Sequence, residues 1–252
     1  MKIADGIEML QIESDLMTGK GFLNPTLIWD ENEALLVDTG LPRQTQAFRD
    51  AFAKAGVAFD KLKRIVITHS DTDHIGGLSG ILLESSLPIT VLSHAIEKPY
   101  IEGILPPLRL KAMEEQVKTL PEDRRQAMSD LCESFKANYL KLKAHVDVTL
   151  DDGEEIPFCG GIIVIFTPGH TPGHISLYHK RSKTLIAADV MNVEDGRLVK
   201  APEFSRLNKE LYDESFVKLM NYDIRSVICY HGGLFTEDPN RRIAELAESK
   251  KS

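Results

Sequence analysis

The chain is poor in sulfur. Three of its 252 residues are cysteine, Cys132, Cys159 and Cys229, and they are widely spaced, odd in number and without a CxxC pair. That excludes a disulfide-stapled scaffold and a cysteine-built zinc module, and leaves the thiols as small apolar groups in a reducing compartment. No stretch approaches the roughly 20 apolar residues that a membrane span needs. The opening MKIADGIEML lacks the apolar core of a secretory signal. A cytoplasmic protein with no membrane partner is therefore the expectation. Basic residues are outnumbered, 30 Lys and Arg against 38 Asp and Glu, for a net charge of -8. Nucleic-acid binding requires a basic footprint that this balance does not supply. The expected partner is a small-molecule substrate. No GxSxG segment occurs, so nothing suggests a serine nucleophile on a strand-to-helix elbow.

What is present is an ordinary globular composition, 42% hydrophobic and 27% charged, long enough to bury a sizeable core. A single domain over 1–252 is expected. Its opening reads as strands, with a hairpin in NPTLIWDENEALLVDTG turning at Asp30–Asn32. RQTQAFRDAFAKAG carries apolar residues at helical spacing and stops at Gly56. RIVITHS is a short β-branched run, the mark of a buried strand. Residues 94–143 break the pattern with helical segments interrupted by Pro106, Pro107 and Pro121, and are expected to form a helical insertion or lid. Strands then return, and DPNRRIAELAESKKS reads as a closing helix with a frayed, solvated tail.

An internal echo organises these pieces. In the first half EALLVDTG is followed by a helix and then RIVITHS; in the second, KTLIAADV is followed by a helix and then SVICYHGG. Each time a strand ends in Asp, a helix crosses over, and the next strand ends in His. Two similar β-rich halves facing one another would each deliver polar groups from strand ends, where a rigid scaffold displays chemistry.

The densest of these displays is THSDTDHIGG at 68–77, which packs His69, Asp71, Asp73 and His74 into six positions. A lone histidine is more often a hydrogen-bonded core residue than a ligand. Carboxylates crowded with imidazoles at one turn are different, because like charges repel and a dication relieves the repulsion. TPGHTPGH at 167–174 adds His170 and His174. Its Pro and Gly rule out a helix, so one imidazole is expected to be a ligand and the other to orient or pack; His170 is favoured as the ligand.

The ordered set HSDTDH, TPGHTPGH, AADV and YHGG, preceded by VDTG at 37–40, resembles the metallo-β-lactamase fold family, whose pattern is HxHxDH, a later His, a bridging Asp and a last His. The match runs from about residue 33 to 233. The resemblance implies an α+β fold, a four-layer αβ/βα sandwich with a two-metal site between its sheets. Carried over by motif position, site one would be His69, Asp71 and His170, site two would be Asp73, His74 and His231, and Asp189 would bridge together with a hydroxide. Asp38 would brace the ligand loops by hydrogen bonds. Two divalent ions are implied, zinc first, with iron or manganese as alternatives.

Asp71 departs from the family pattern, which has His there. Two dications, three aspartates and a hydroxide sum to zero formal charge, where a histidine would leave one positive charge; the neutral cluster is the weaker Lewis acid. Oxygen is also harder than imidazole nitrogen, which moves preference toward manganese or iron. The implied activity is hydrolysis of a small ester, lactone, thioester or related bond, with Asp73 as the catalytic carboxylate that orients the hydroxide and shuttles its proton. Flavin-diiron reductases share the fold and carry a glutamate at the corresponding place, so a diiron redox protein is the alternative, as is a phosphodiesterase. Such reductases need a flavin module to deliver electrons, and these 252 residues show none, so the redox role is expected to rank second. Tyr100, Ile101, Ile104 and Leu105 would offer an apolar surface to the substrate, and the same helices could instead form a homodimer contact.

Overall fold

The computed structural model describes residues 1–16 and 19–249. The first sheet has seven strands in the spatial order β1 (Lys2–Ala4), β2 (Ile7–Met9), β5 (Thr26–Trp29), β6 (Ala34–Val37), β7 (Leu62–Ile67), β8 (Thr90–His94) and β9 (Val148–Leu150). Between β2 and β5 the chain makes a separate hairpin, β3 (Ile12–Leu16) with β4 (Gly19–Leu23). The second sheet has six strands, ordered β10 (Glu155–Ile156), β11 (Ile162–Phe166), β12 (Ile175–His179), β13 (Thr184–Ala188), β16 (Ser226–Cys229) and β17 (Gly233–Phe235). A second small hairpin joins β14 (Met191–Glu194) to β15 (Arg197–Lys200). The helices are α1 (Thr45–Ala55), α2 (Thr72–Ile75), α3 (Leu78–Glu84), α4 (Lys98–Ile101), α5 (Leu108–Thr119), α6 (Glu122–Tyr139), α7 (Lys209–Leu219) and α8 (Pro239–Glu248).

Side-chain alternation sorts these elements into four layers. Leu35 and Val37 of β6 point to one face and Ala34 and Leu36 to the other, as a period of two requires. The first pair joins Ile7, Ile28, Val66 and Leu92 against Ile162, Val164, Leu177, Ile186 and Ile228 of the second sheet. The second pair packs with Leu27, Ile65 and Ile67 under Phe48 and Phe52 of α1 and Leu78 and Ile81 of α3. On the far side, Ile165, Leu185, Ala187 and Val227 of the second sheet meet Tyr212 and Phe216 of α7 and Ile243 and Leu246 of α8. Each fully buried Leu, Ile or Phe contributes about 1.5–3 kcal/mol, so three continuous cores hold helix, sheet, sheet and helix together. This is the α+β sandwich expected from the sequence.

The two halves have the same crossover. Strand β6 pairs parallel with β7 across α1, and β13 pairs parallel with β16 across α7. Gly56 closes α1 in a left-handed conformation, φ 74°, with its N–H on the carbonyls of Ala53 and Phe52. Helices α4, α5 and α6 all fall between β8 and β9, the segment read as an insertion. The solvated tail expected after α8 lies, at residues 250–252, outside the described residues.

Candidate metal centre

Strand β7 ends at Ile67 in the middle of the first sheet, and the turn that follows carries four of the sequence-predicted groups. His69 and His74 are fully buried. Asp71 occupies the position before α2 but makes no capping bond to it, so its carboxylate is turned elsewhere. From the second sheet come His170, in the turn between β11 and β12, Asp189, directly after β13, and His231, after β16.

These groups converge. Donor atoms of His69, His170 and Asp189 lie within 4.8 Å of one another, as do those of Asp73, His74 and His231. Asp189, a member of the first set, also reaches the second. Its carboxylate is 3.4 Å from His74 Nε2, 3.3 Å from His231 Nε2 and 3.5 Å from His170 Nε2. Asp73 Oδ2 lies 3.3 Å from His231 Nε2. Asp71 Oδ2 is 3.5 Å from His69 Nε2 and 3.1 Å from His170 Nε2. All seven side chains named from the sequence thus meet in one cleft between the sheets.

The donor set fits divalent ions. Nε2 of His69, Nε2 of His74 and Oδ1 of Asp189 are buried without a hydrogen-bond partner, although buried polar atoms are normally satisfied. The other faces of the rings explain their orientation. His74 Nδ1 lies 2.8 Å from Asp38 Oδ2. Thr68 Oγ1 donates to the same oxygen at 2.8 Å, which leaves it free to accept from His69 Nδ1 at 3.1 Å. Both Nδ1 atoms then carry a proton, and both Nε2 atoms face the cleft. Partners of this kind fix the tautomer of a ligating imidazole. Nitrogen and carboxylate donors at these spacings suit zinc, iron or manganese.

Burial and charge compete throughout the cleft. Burial raises the Asp189 carboxyl, but His231 and His74 beside it hold it well below the usual carboxylate range. Burial lowers the His74 imidazole, and Asp38, Asp189 and Asp73 outweigh it and lift the group well above its ordinary value. His231 behaves alike: Asp189 and Asp73 overcome burial and raise it to about 10. The carboxylates thus attract positive charge to both rings, and an arriving dication would take the place of those protons.

His174 lies behind the donors. Burial pushes it well below its ordinary value, with the rings of His69 and His170 adding to the effect. Its Nε2 accepts the backbone N–H of Asp189 at 3.2 Å, and its Nδ1 meets Thr167 Oγ1 at 2.9 Å. A neutral imidazole therefore positions Asp189. The flanking glycines allow the loop to pass here. Gly169 has φ 129°, and a Cβ on it would come within 2.3 Å of the Tyr212 backbone; a Cβ on Gly173 would meet Glu97 at 2.8 Å.

That glutamate was not among the sequence-derived groups. Glu97 is fully buried. Its Oε2 accepts the N–H of Ser70, and its Oε1 accepts from Thr171 Oγ1 at 2.7 Å and from the N–H of Gly173 at 2.8 Å. One carboxylate thereby ties the 69–74 turn of the first half to the 167–174 turn of the second. Tyr230 also lay outside the expected set. Its ring lies 3.9 Å from that of His74, tilted by 31°, and its hydroxyl donates to the Asp73 carbonyl at 2.5 Å. Its own carbonyl accepts from Asn24, both from the backbone N–H at 3.1 Å and from Nδ2 at 2.9 Å, and His231 forms a β-bridge with Leu23.

Arg109 is the third such residue. It comes from α5, and its Nη2 donates to Asp71 Oδ2 at 2.7 Å, with Nε 3.2 Å from both carboxylate oxygens. The same Nη2 is 3.0 Å from His170 Nε2, and Nη1 donates to the Ser205 carbonyl at 2.8 Å. Histidine and guanidinium together hold the Asp71 carboxyl well below its ordinary value against the effect of burial. Of the residues expected to meet an apolar substrate, Ile104 and Leu105 are exposed and Tyr100 is half-buried. Ile101 is not available: it is fully buried in the core beneath the first sheet, because the turn of α4 directs it inward.

Comparison with known proteins adds the lineage. Residues 18–231 match the family described as the metallo-beta-lactamase superfamily. The probable metallo-hydrolase YflN of Bacillus subtilis is 29% identical over 212 residues, 79% of this chain and 75% of that protein. The uncharacterized protein YobT of the same organism is 27% identical over 91% of each chain. A metallo-beta-lactamase family protein of Thermus thermophilus superposes with a TM-score of 0.71 at 21% identity, covering 98% of this chain and 80% of that one. A flavoprotein from Thermotoga maritima superposes with a TM-score of 0.64 at 20% identity, covering 96% of this chain and 58% of the other.

Proposed function

The chain belongs to the metallo-beta-lactamase superfamily, and we propose that it is a metal-dependent hydrolase with a dinuclear centre that cleaves a small ester, lactone, thioester or related bond. The observation that carries this reading is the meeting of unpartnered, buried donor atoms from both halves of the chain. Likeness to the probable metallo-hydrolase YflN supports it. His69, Asp71 and His170 would hold one ion, Asp73, His74 and His231 the other, with Asp189 between them. Bound there, divalent ions, zinc first and iron or manganese as alternatives, supply Lewis acidity to the scissile carbonyl and acidify water.

The protein's own groups do the rest. Asp38 and Thr68 keep the two imidazoles of the first half in the tautomer that presents Nε2 to the cleft. Glu97 fixes the separation of the two ligand turns, and fixed geometry is what lets an electrostatic centre act without reorganising during reaction. Asp73 and His231 are the more open members, with side chains 26% and 29% exposed, so substrate and water enter on their side. There Asp73 orients the attacking water, takes its proton and delivers it to the leaving group. The 94–143 segment acts as a lid, presenting Ile104 and Leu105 to the apolar part of the substrate.

A chelator that strips the protein should abolish cleavage of chromogenic esters or lactones, and returning zinc(II) or manganese(II) should restore it, with elemental analysis following the metal. Hydrolysis that survives complete removal of the metal would refute the proposal. A second reading, a diiron redox protein, draws on the carboxylate at position 71 and on the shared fold of the Thermotoga maritima flavoprotein. It requires iron in the purified protein and an absorbance change on reduction.

A further inference from the structure

The Arg109 guanidinium lies against Asp71 and His170, two of the three groups that would hold the first ion. We propose that Arg109 and a divalent ion are alternative occupants of the pocket formed by Asp71 and His170, so that the centre holds one ion tightly at Asp73, His74 and His231 and takes a second only when Arg109 withdraws. The inference rests on the functional reading above and deepens it.

Two partners compete at one atom. His170 Nε2 lies 3.1 Å from Asp71 Oδ2 and 3.0 Å from Arg109 Nη2. It carries either a lone pair or a proton. With a lone pair it accepts from Arg109 but opposes the carboxylate; with a proton it donates to Asp71 but faces a donor, since a guanidinium is always charged. Nδ1 of the same ring is buried without a partner, so neither tautomer satisfies the residue. A divalent ion would resolve the conflict, because carboxylate and imidazole lone pair can both bind it, but only if Nη2 leaves.

Charge leads to the same conclusion. Asp71 and Arg109 neutralise each other, and one dication neutralises Asp73 and Asp189. Counting the ion-facing carboxylates and Arg109, with the ligating imidazoles neutral, the charges then balance with a single ion. A second ion with Arg109 still in place would set a dication beside a guanidinium. Arg109 is delivered by the insertion, not by the sheets, and its Nη1 also grips the Ser205 carbonyl after β15. Withdrawal therefore means moving a side chain of α5, which leaves the framework of the other ligands intact. Arg109 is thus a positioning residue for Asp71 in the one-ion form and a gate on loading of the second site.

The test is metal binding itself. Chelator-stripped wild type, R109Q, R109K and K111Q are titrated with zinc(II) alone in calorimetry, and the ions retained after gel filtration are counted by elemental analysis. Lys111 is an exposed neighbour on the same helix and controls for a general loss of positive charge. The expected result is one tight ion in wild type with a weaker second, at least a tenfold tighter second site in R109Q, an intermediate value in R109K, and no change in K111Q. Equal second-site affinity in wild type and R109Q overturns the inference, as does an equal gain in K111Q. Failure of wild type and R109Q to retain any ion would overturn the functional reading as well, so the two failures are distinguishable. Circular dichroism on each variant establishes that it is folded.

Discussion

The two halves of the sandwich use one supersecondary unit for two purposes. In the first, β6 leads into Asp38, α1 crosses over, and β7 pairs parallel with β6; in the second, β13 leads into Asp189, α7 crosses over, and β16 pairs parallel with β13. Yet Asp38 turns back into its own sheet, with both oxygens engaged by Thr68 and one by His74, while Asp189 reaches into the cleft. The difference is one residue. In the first half the left-handed position is the aspartate itself, Asp38 at φ 64°; in the second it is the preceding Ala188 at φ 47°. The β13–β16 register also slips just there, between Ile186 and Ala188. A shift of one position turns a side chain to the opposite side of a strand, which is enough to make a brace in one half and a candidate ligand in the other.

Breaking the comparison from the second half should have the largest effect. D189A should lose the retained metal and at least a thousandfold in hydrolysis, whereas D38N should keep ions at roughly 10–100-fold weaker affinity, the usual cost of losing a group that orients a ligand. Metal retention and kcat/KM on the same substrate check both. Equal losses from the two variants would mean that the halves do not differ as described. The link between the halves comes next. E97A leaves the Ser70 N–H, the Thr171 hydroxyl and the Gly173 N–H without their acceptor, and should cost about 3 kcal/mol in denaturant unfolding, with E97Q between it and wild type.

The smallest expected effect is in pH dependence, read on metal-free protein. His231 is raised from 6.5 to about 10, by Asp189 and Asp73 working against burial. Its protonated form contributes stability in full below pH 6.5, and that contribution is lost as pH climbs through about 10. Asp189 is lowered, so its contribution is present above 3.8 and is lost on acidification. Metal-free Tm should therefore fall by a few degrees between pH 6.5 and 10. The stabilisation conferred by zinc(II) should rise over the same interval, because the ion binds imidazoles that have lost their protons. A flat alkaline arm in thermal scans would contradict this balance.

Much of this centre is legible from the chain because strand ends carry short motifs. HSDTDH, TPGHTPGH and the two Asp-ending strands hold their chemistry within a few residues, and the crossover pattern tells which strands lie side by side. Glu97 and Arg109 have no such signature. Each is a single charged residue in a helical stretch, and its partners are 27–76 and 38–96 residues away. Only the folded chain brings them together. Ile101 has the opposite lesson: its neighbours Ile104 and Leu105 do reach solvent, but the four-residue helix α4 rotates it into the core. The one-residue offset between Asp38 and Asp189 is likewise invisible in sequence, since VDTG and AADV differ in nothing that announces a left-handed residue.

The pairing of Leu23 and Asn24 with Tyr230 and His231 has a consequence for how the molecule is made. The last of the candidate donors to leave the ribosome is held by residues that emerge before any of the others. No shorter nascent chain can close the cage, whatever the local concentration of ions in the surroundings. Completion of the full donor set therefore follows synthesis of the second sheet.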